Sequence, residues 1–389
     1  MILENVHVTG LAGKKNIRVE EELIIRVTDS AISPAGAIHE MSIDCKGAFA
    51  FPGLINSHDH LDFNLFPSLK NKVYTSYTEW GADIHRNNKE TIGLVQKVPP
   101  ELRMQWGVYK NLLNGITTVV NHGRIPVLNE ALITIFQDCY DLHSPRFEKH
   151  WKLKLNRLFR SDRPFVIHLG EGTDADAENE INEVIQANFF KRRIIAVHGV
   201  AMTARQAGSF AGLVWCPQSN YFLLDKTCNT AILKKILPVV FGSDSTLTSS
   251  WNFWDHLRCG LKTGMVEAGE LFEMITSVPA KLWGLENSGR IEENYTADLV
   301  IARAETGKVG IADFFNLEPE DILLVMQRGK IRVLDERMLD QLPGNLPDKT
   351  KFSRIQLKNT KKYVEGDLVQ LLKDTRNYYP DVNIPFTVL

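Results

Sequence analysis

Five apolar runs of strand length occupy the middle of the chain: "GITTVVNHG", "PFVIHLGEG", "RIIAVHGVA", "GLVWCPQSN" and "PVVFGSDST". Amphipathic stretches such as "ELRMQWGVYKNLL", "AENEINEVIQANF" and "NFWDHLRCGLKTG" alternate with them. A strand with polar residues on every second position can face water on one side, but these runs are apolar on both faces. They require cover above and below, which is the condition of a parallel sheet sheathed by helices. The pattern predicts an α/β fold in which residues 51–285 form a β/α barrel.

The runs end in reactive groups. "PFVIH" ends in His168, "IIAVH" in His198 and "VVFGSD" in Asp244. An earlier run, "FPGLINSHDHLDF", ends in His58 and His60. Residues i and i+2 of a strand point to one face, so His58 and His60 project together while Asp59 points away. In a parallel barrel the carboxyl ends of the strands gather on one rim. Four histidines and an aspartate then converge, which is a donor set for a divalent metal. Any one of these histidines alone would read as a core imidazole satisfied by the backbone.

Before residue 51 and after residue 285 the rhythm changes to short strands, as in "EELIIRVTDSAIS" and "DILLVMQRGKIRVLDERML". This predicts a small composite β-sandwich domain from residues 1–50 and 286–340, with 341–389 as a C-terminal tail packing on the surface. Net charge is −2 with dispersed Lys and Arg, so no footprint for nucleic acid stands out. No run reaches the length of a membrane-spanning helix, and the start "MILENVHVTG" lacks the pattern of a secretory leader. Five widely spaced cysteines without a C-x-x-C pair indicate a reduced, cytoplasmic chain. Homo-oligomerisation is left open.

Taken in order, "FPGLINSHDH", "GITTVVNHG", "HLGEG", "AVHGVAMT", "WCPQSN", "FGSDST" and "GRIEENYTADLVIA" resemble the metal-dependent amidohydrolase superfamily, in its cytosine deaminase, guanine deaminase and triazine hydrolase-like branches. The resemblance spans almost the whole chain. It implies a distorted (β/α)8 TIM barrel with a composite β-sandwich. It implies His58, His60, His168 and Asp244 as ligands and His198 as the strand-six histidine. Glu171, three residues after His168, resembles the proton shuttle of the deaminase branches. The stretch expected to hold strand four, "EALITIFQDCYDLH", has no lysine to bridge two metals. One divalent ion is therefore expected; zinc is the default for this donor set, with iron and manganese open.

The implied chemistry is attack by water whose pKa the metal lowers from about 15.7 toward 7. Asp244 would accept the water proton, His198 would orient the nucleophile or stabilise the oxyanion, and Glu171 would protonate a ring nitrogen and the leaving amine. The expected reaction is deamination of a small amino-substituted heterocycle. Hydrolysis of a cyclic amide, displacement of another ring substituent, and a non-catalytic scaffold on the same fold are the alternatives. For substrate contacts the sequence offers Asn64, Trp80, His122, Arg124 and Gln218. Arg124 reads equally as a carboxylate or phosphate contact and as a surface arginine, and Asn220 as a loop brace. Trp215, Trp251, Trp254 and His256 read as packing. The segment from His122 to His168 is short beside the family, which points to a more open site or a different substrate size.

Overall fold

The structure is a computed structural model that describes residues 1–32, 41–124, 131–158, 162–303, 310–342 and 349–389. In the central domain β1 (Leu54–Asp59), β2 (Ile116–Asn121) and β3 (Thr134–Phe136) pair in parallel. A second parallel sheet runs through β4 (Tyr140–Leu142), β5 (Phe165–Leu169), β6 (Ile194–His198), β7 (Gly212–Trp215) and β8 (Val239–Phe241). β1, β2, β5, β6, β7 and β8 are buried along their whole length, as strands of a parallel sheet covered on both faces are.

The two sheets join where Asp59 bridges Asp244 in parallel and where the Ser243 and Asp244 amides each donate to the His58 carbonyl at 3.0 Å. Across the barrel, only residues 137–139 separate β3 from β4. A parallel return needs a crossover of a dozen or more residues, so β3 and β4 cannot be neighbouring partners, and no pairing between them occurs among the described residues. The distortion of the barrel is located there.

Helices α1 (Tyr77–Asn87), α2 (Lys89–Gln96) and α3 (Pro100–Leu113) fill the connection from β1 to β2. The Ser76 hydroxyl accepts from the Glu79 amide to cap α1, and Pro100 opens α3, where its missing N–H costs nothing. Helix α4 (Ala175–Ala187) follows β5, capped by Asp174, whose carboxylate accepts from the Ala177 amide at 2.9 Å. Helices α5 (Pro217–Leu224) and α6 (Phe253–Lys262) follow β7 and β8.

The chain ends build one eleven-stranded sheet. Its two halves meet where Phe49–Pro52 pairs antiparallel with Leu299–Ala302. Residues 341–389 depart from the expected surface tail. They add strands Phe352–Leu357, Thr360–Glu365 and Thr387–Val388 to this sheet, and a helix, Leu368–Tyr378. The reason is visible in "FSRIQL", whose side chains alternate between half-buried and buried, the period of a strand. Barrel and sandwich share an aromatic seam: Phe51 packs edge-on against Trp254 at 6.1 Å and against Phe314 at 5.0 Å.

Candidate active site

The His58, His60, His168 and Asp244 side chains converge at the carboxyl ends of β1, β5 and β8, with their donor atoms within 4.8 Å of one another. His168 Nε2 lies 3.2 Å from both His58 Nε2 and His60 Nε2. Asp244 Oδ1 lies 3.7 Å from His58 Nε2 and 3.6 Å from His60 Nε2. Four donors placed tetrahedrally at zinc-like bond lengths of about 2.05 Å would stand about 3.3 Å apart. The four spacings of 3.2–3.7 Å lie close to that value.

The donor chemistry fits as well. The His168 Nδ1 faces the His143 carbonyl at 2.7 Å, and a carbonyl only accepts, so Nδ1 carries the proton and Nε2 offers its lone pair to the centre. Burial pushes the His58 and His168 imidazoles far below their ordinary range, and neighbouring rings add to the effect. Neutral imidazoles are the form a metal needs.

Burial alone would raise Asp244. The His198 and His60 rings outweigh it, together with hydroxyl donation from Ser219 at 2.6 Å and Thr248 at 2.8 Å, and hold the carboxylate below its ordinary range. His198 and Asp244 both adopt left-handed backbone, with φ of 70° and 60°. Such residues cost of order 1–3 kcal/mol each and concentrate at functional sites.

Beside this centre stand His198 and Glu171, with Nε2 and Oε2 3.6 Å apart. The Asn220 side-chain oxygen accepts from His198 Nδ1 at 2.8 Å, and the Asn220 amide in turn donates to Thr227. Nε2 is thereby turned toward the cavity. Glu171 is buried, and that burial pushes its carboxyl well above the ordinary range, with the Asp244 and Glu180 carboxylates adding to it. The two carboxyl groups of the site are driven in opposite directions, one toward acid and one toward base.

The centre forms part of the lining of a cavity of about 500 Å³, the size of a small-molecule pocket. Of the five substrate contacts expected from sequence, Trp80 lines it. Arg124 is exposed at the surface and is not among the described residues that line the cavity. Gln218 is corrected: its side-chain oxygen accepts from the Ser250 amide at 2.8 Å, outside the cavity lining. Asn64 is a brace, donating to Asp59 at 2.7 Å and to the His60 carbonyl at 3.1 Å.

His122 packs into the ligand rings instead, with its centroid 4.3 Å from that of His168. Its Nδ1 lies 2.7 Å from Asp141 Oδ1, off the line of a hydrogen bond. Trp215 and Trp254 are buried packing residues, and buried His256 donates from Nε2 to the Ser250 carbonyl at 2.8 Å. Asn220 does more than brace loops, because it orients His198. Ser219 carried no sequence signal beyond the "QSN" that follows β7.

Residues 152–332 match the amidohydrolase family. The match covers three of the strand-end residues, His168, His198 and Asp244, along with Glu171. With that match and this donor set, the chain is an enzyme with a site suited to a divalent metal.

Solved structures share the fold across both domains. An adenosine deaminase from Xanthomonas campestris with bound zinc is 15% identical, covers 98% of each chain and has a TM-score of 0.73. An atrazine chlorohydrolase from Arthrobacter aurescens TC1 complexed with zinc is 15% identical over 97% of this chain and 100% of its own, with a TM-score of 0.67. A 5-methylcytosine deaminase from Klebsiella pneumoniae is 17% identical over 85% and 97%, with a TM-score of 0.62. At these identities the likeness is one of fold. A search of curated proteins returns no match.

Proposed function

We propose that the protein is a zinc-dependent aminohydrolase that deaminates a small amino-substituted heterocycle. The observation that carries this reading is the protonatable Glu171 standing beside His198 at the edge of a four-donor centre. When bound, a divalent ion supplies Lewis acidity and makes water a nucleophile near neutral pH. His58, His60, His168 and Asp244 are the residues that would hold it.

Asp244, kept ionised, accepts the proton of the attacking water. Glu171, kept protonated, gives its proton to a ring nitrogen as oxygen adds to the neighbouring carbon. The carbon–nitrogen bond then breaks as the amine takes up, through Glu171, the proton that Asp244 removed from water, and the remaining hydroxyl proton passes back to Glu171 as the carbonyl forms, so that ammonia leaves and both carboxyl groups are reset. His198, held by Asn220, donates to or orients the oxygen that becomes the product's hydroxyl or oxo group. The free cysteines support a reducing compartment, and we read the protein as cytoplasmic.

Deaminases among the structural neighbours support the reading, and the chlorohydrolase keeps displacement of another ring substituent as the second one. The test is incubation of the metal-loaded protein with aminated, chlorinated and lactam heterocycles, with ammonia, chloride and ring opening each measured. Ammonia release is expected. Chloride release or lactam opening without ammonia would overturn the deaminase assignment.

A further inference from the structure

Away from the metal centre the cavity has one continuous apolar wall, with Thr78, His85, Gln96 and Ser245 as the polar residues outside it. Its wall comes from the segment after β1 (Phe63, Phe66), from α1 and α2 (Trp80, Ile84, Ile92) and from Leu247 beyond β8. The aromatic groups that could have offered a donor have spent it on the protein. The Trp80 Nε1 donates to the Leu69 carbonyl at 2.9 Å, and the Tyr77 hydroxyl donates to Glu180 at 2.9 Å. Both side chains therefore line the cavity without a free donor.

Thr78 is bonded to Ser76 at 2.9 Å, and Thr248 to Asp244. His85, Gln96 and His143 line the cavity but are exposed. None of the lining residues is Lys or Arg, and the carboxylates among them are Glu171 and Asp244 of the centre itself. Phe147, 53% exposed, stacks edge-on against Tyr77 at 5.2 Å. A Cβ at Gly81 would come within 3.5 Å of its ring, so the smallest residue stands where this aromatic covers α1.

A phosphate or carboxylate on the substrate would meet no cation in such a wall. A ribose lodged against the apolar wall would lose hydrogen bonds to water that Phe63, Phe66, Ile84, Ile92 and Leu247 cannot replace. We propose that the substrate is an uncharged amino-heterocycle bearing an apolar substituent, with the ring at the metal centre and the substituent among Phe63, Phe66, Trp80, Ile84, Ile92 and Leu247. This rests on the deaminase reading for the ring and on the cavity wall alone for the substituent.

The two parts separate experimentally. Aminopyrimidines and aminotriazines carrying hydrogen, methyl, ethyl or propyl at one position are titrated into the metal-loaded protein by calorimetry, and ammonia is measured in parallel. Burial of each methylene is worth about 0.8 kcal/mol, which is about fourfold in Kd and roughly 60-fold from hydrogen to propyl. Phe147→Ala, at an exposed position that does not threaten folding, is expected to weaken the propyl compound more than the unsubstituted one. A tightening series without ammonia release supports the apolar assignment and removes the deaminase reading. A flat or weakening series, absence of binding included, overturns the apolar assignment even where ammonia is released.

Discussion

Removal of the Lys110 ammonium tests how the His58–His60 pair is held. Asp59, between them, points away from the metal centre and is fully buried, as is Lys110 on α3. Asp59 Oδ2 accepts from Lys110 Nζ at 3.1 Å, from Asn111 at 2.8 Å, from Asn56 at 3.2 Å and from Ser243 at 3.3 Å, and Oδ1 accepts from Asn64 at 2.7 Å. Lys110→Met keeps the volume of the stem and deletes the charge, leaving a buried carboxylate with neutral donors only. Breaking a buried pair from one side costs about 3–5 kcal/mol. For a chain of 389 residues the unfolding entropy is about 0.8 kcal/mol/K, so the melting temperature should fall by about 4–6 °C. Because this network fixes β1, metal affinity should fall by about 10–100-fold, the scale for groups that orient ligands. Calorimetry and metal titration read both effects. Asp59→Asn added to Lys110→Met should recover much of the melting temperature, since no charge is then stranded. If Lys110→Met melts within about 1 °C of the parent and binds metal equally well, the brace is not what positions the pair.

Three further outcomes are expected. Glu171→Gln should keep the metal and lose at least about 100-fold in kcat, measured by ammonia release, because glutamine matches the shape but cannot cycle a proton. His198→Asn should likewise retain metal and lose about 100-fold or more in kcat, whereas loss of metal in this variant would move His198 into the ligand set. His256 is pushed down to about 4 by burial, so between pH 6.5 and 4 the unfolded chain takes up a proton that the fold refuses. Stability should fall as pH drops through that window, by about 3 kcal/mol from this group at about 1.36 kcal/mol per pH unit. His256→Gln should flatten that limb in denaturant titrations; an unchanged slope would contradict the assignment.

The parts legible in sequence are those where chemistry and period coincide. His58, His60, His168, His198 and Asp244 each end an apolar run, and the parallel fold turns every strand end to the same rim. Side chains whose hydrogen-bond partners depend on how the loops after the strands turn were not legible. Asn64 reads as a pocket residue from its place after the histidine pair, yet Asp59 and the His60 carbonyl claim its amide. Gln218 follows a strand end like the ligands, but the Ser250 amide engages its oxygen. Of the apolar wall only Trp80 was legible, because Phe66, Ile84 and Ile92 carry nothing that sets them apart from ordinary helix and loop packing. Their role depends on how α1 and α2 fold back over the rim. The distortion at β3 and β4 was not legible, since strands of three residues carry no period.

The most direct test of the metal centre is elemental analysis of the protein purified without chelator, beside His168→Asn prepared identically. One divalent ion per chain in the parent and substantial loss in the variant is the expected result. No ion in the parent after reconstitution, or two tightly held ions per chain, would contradict the account.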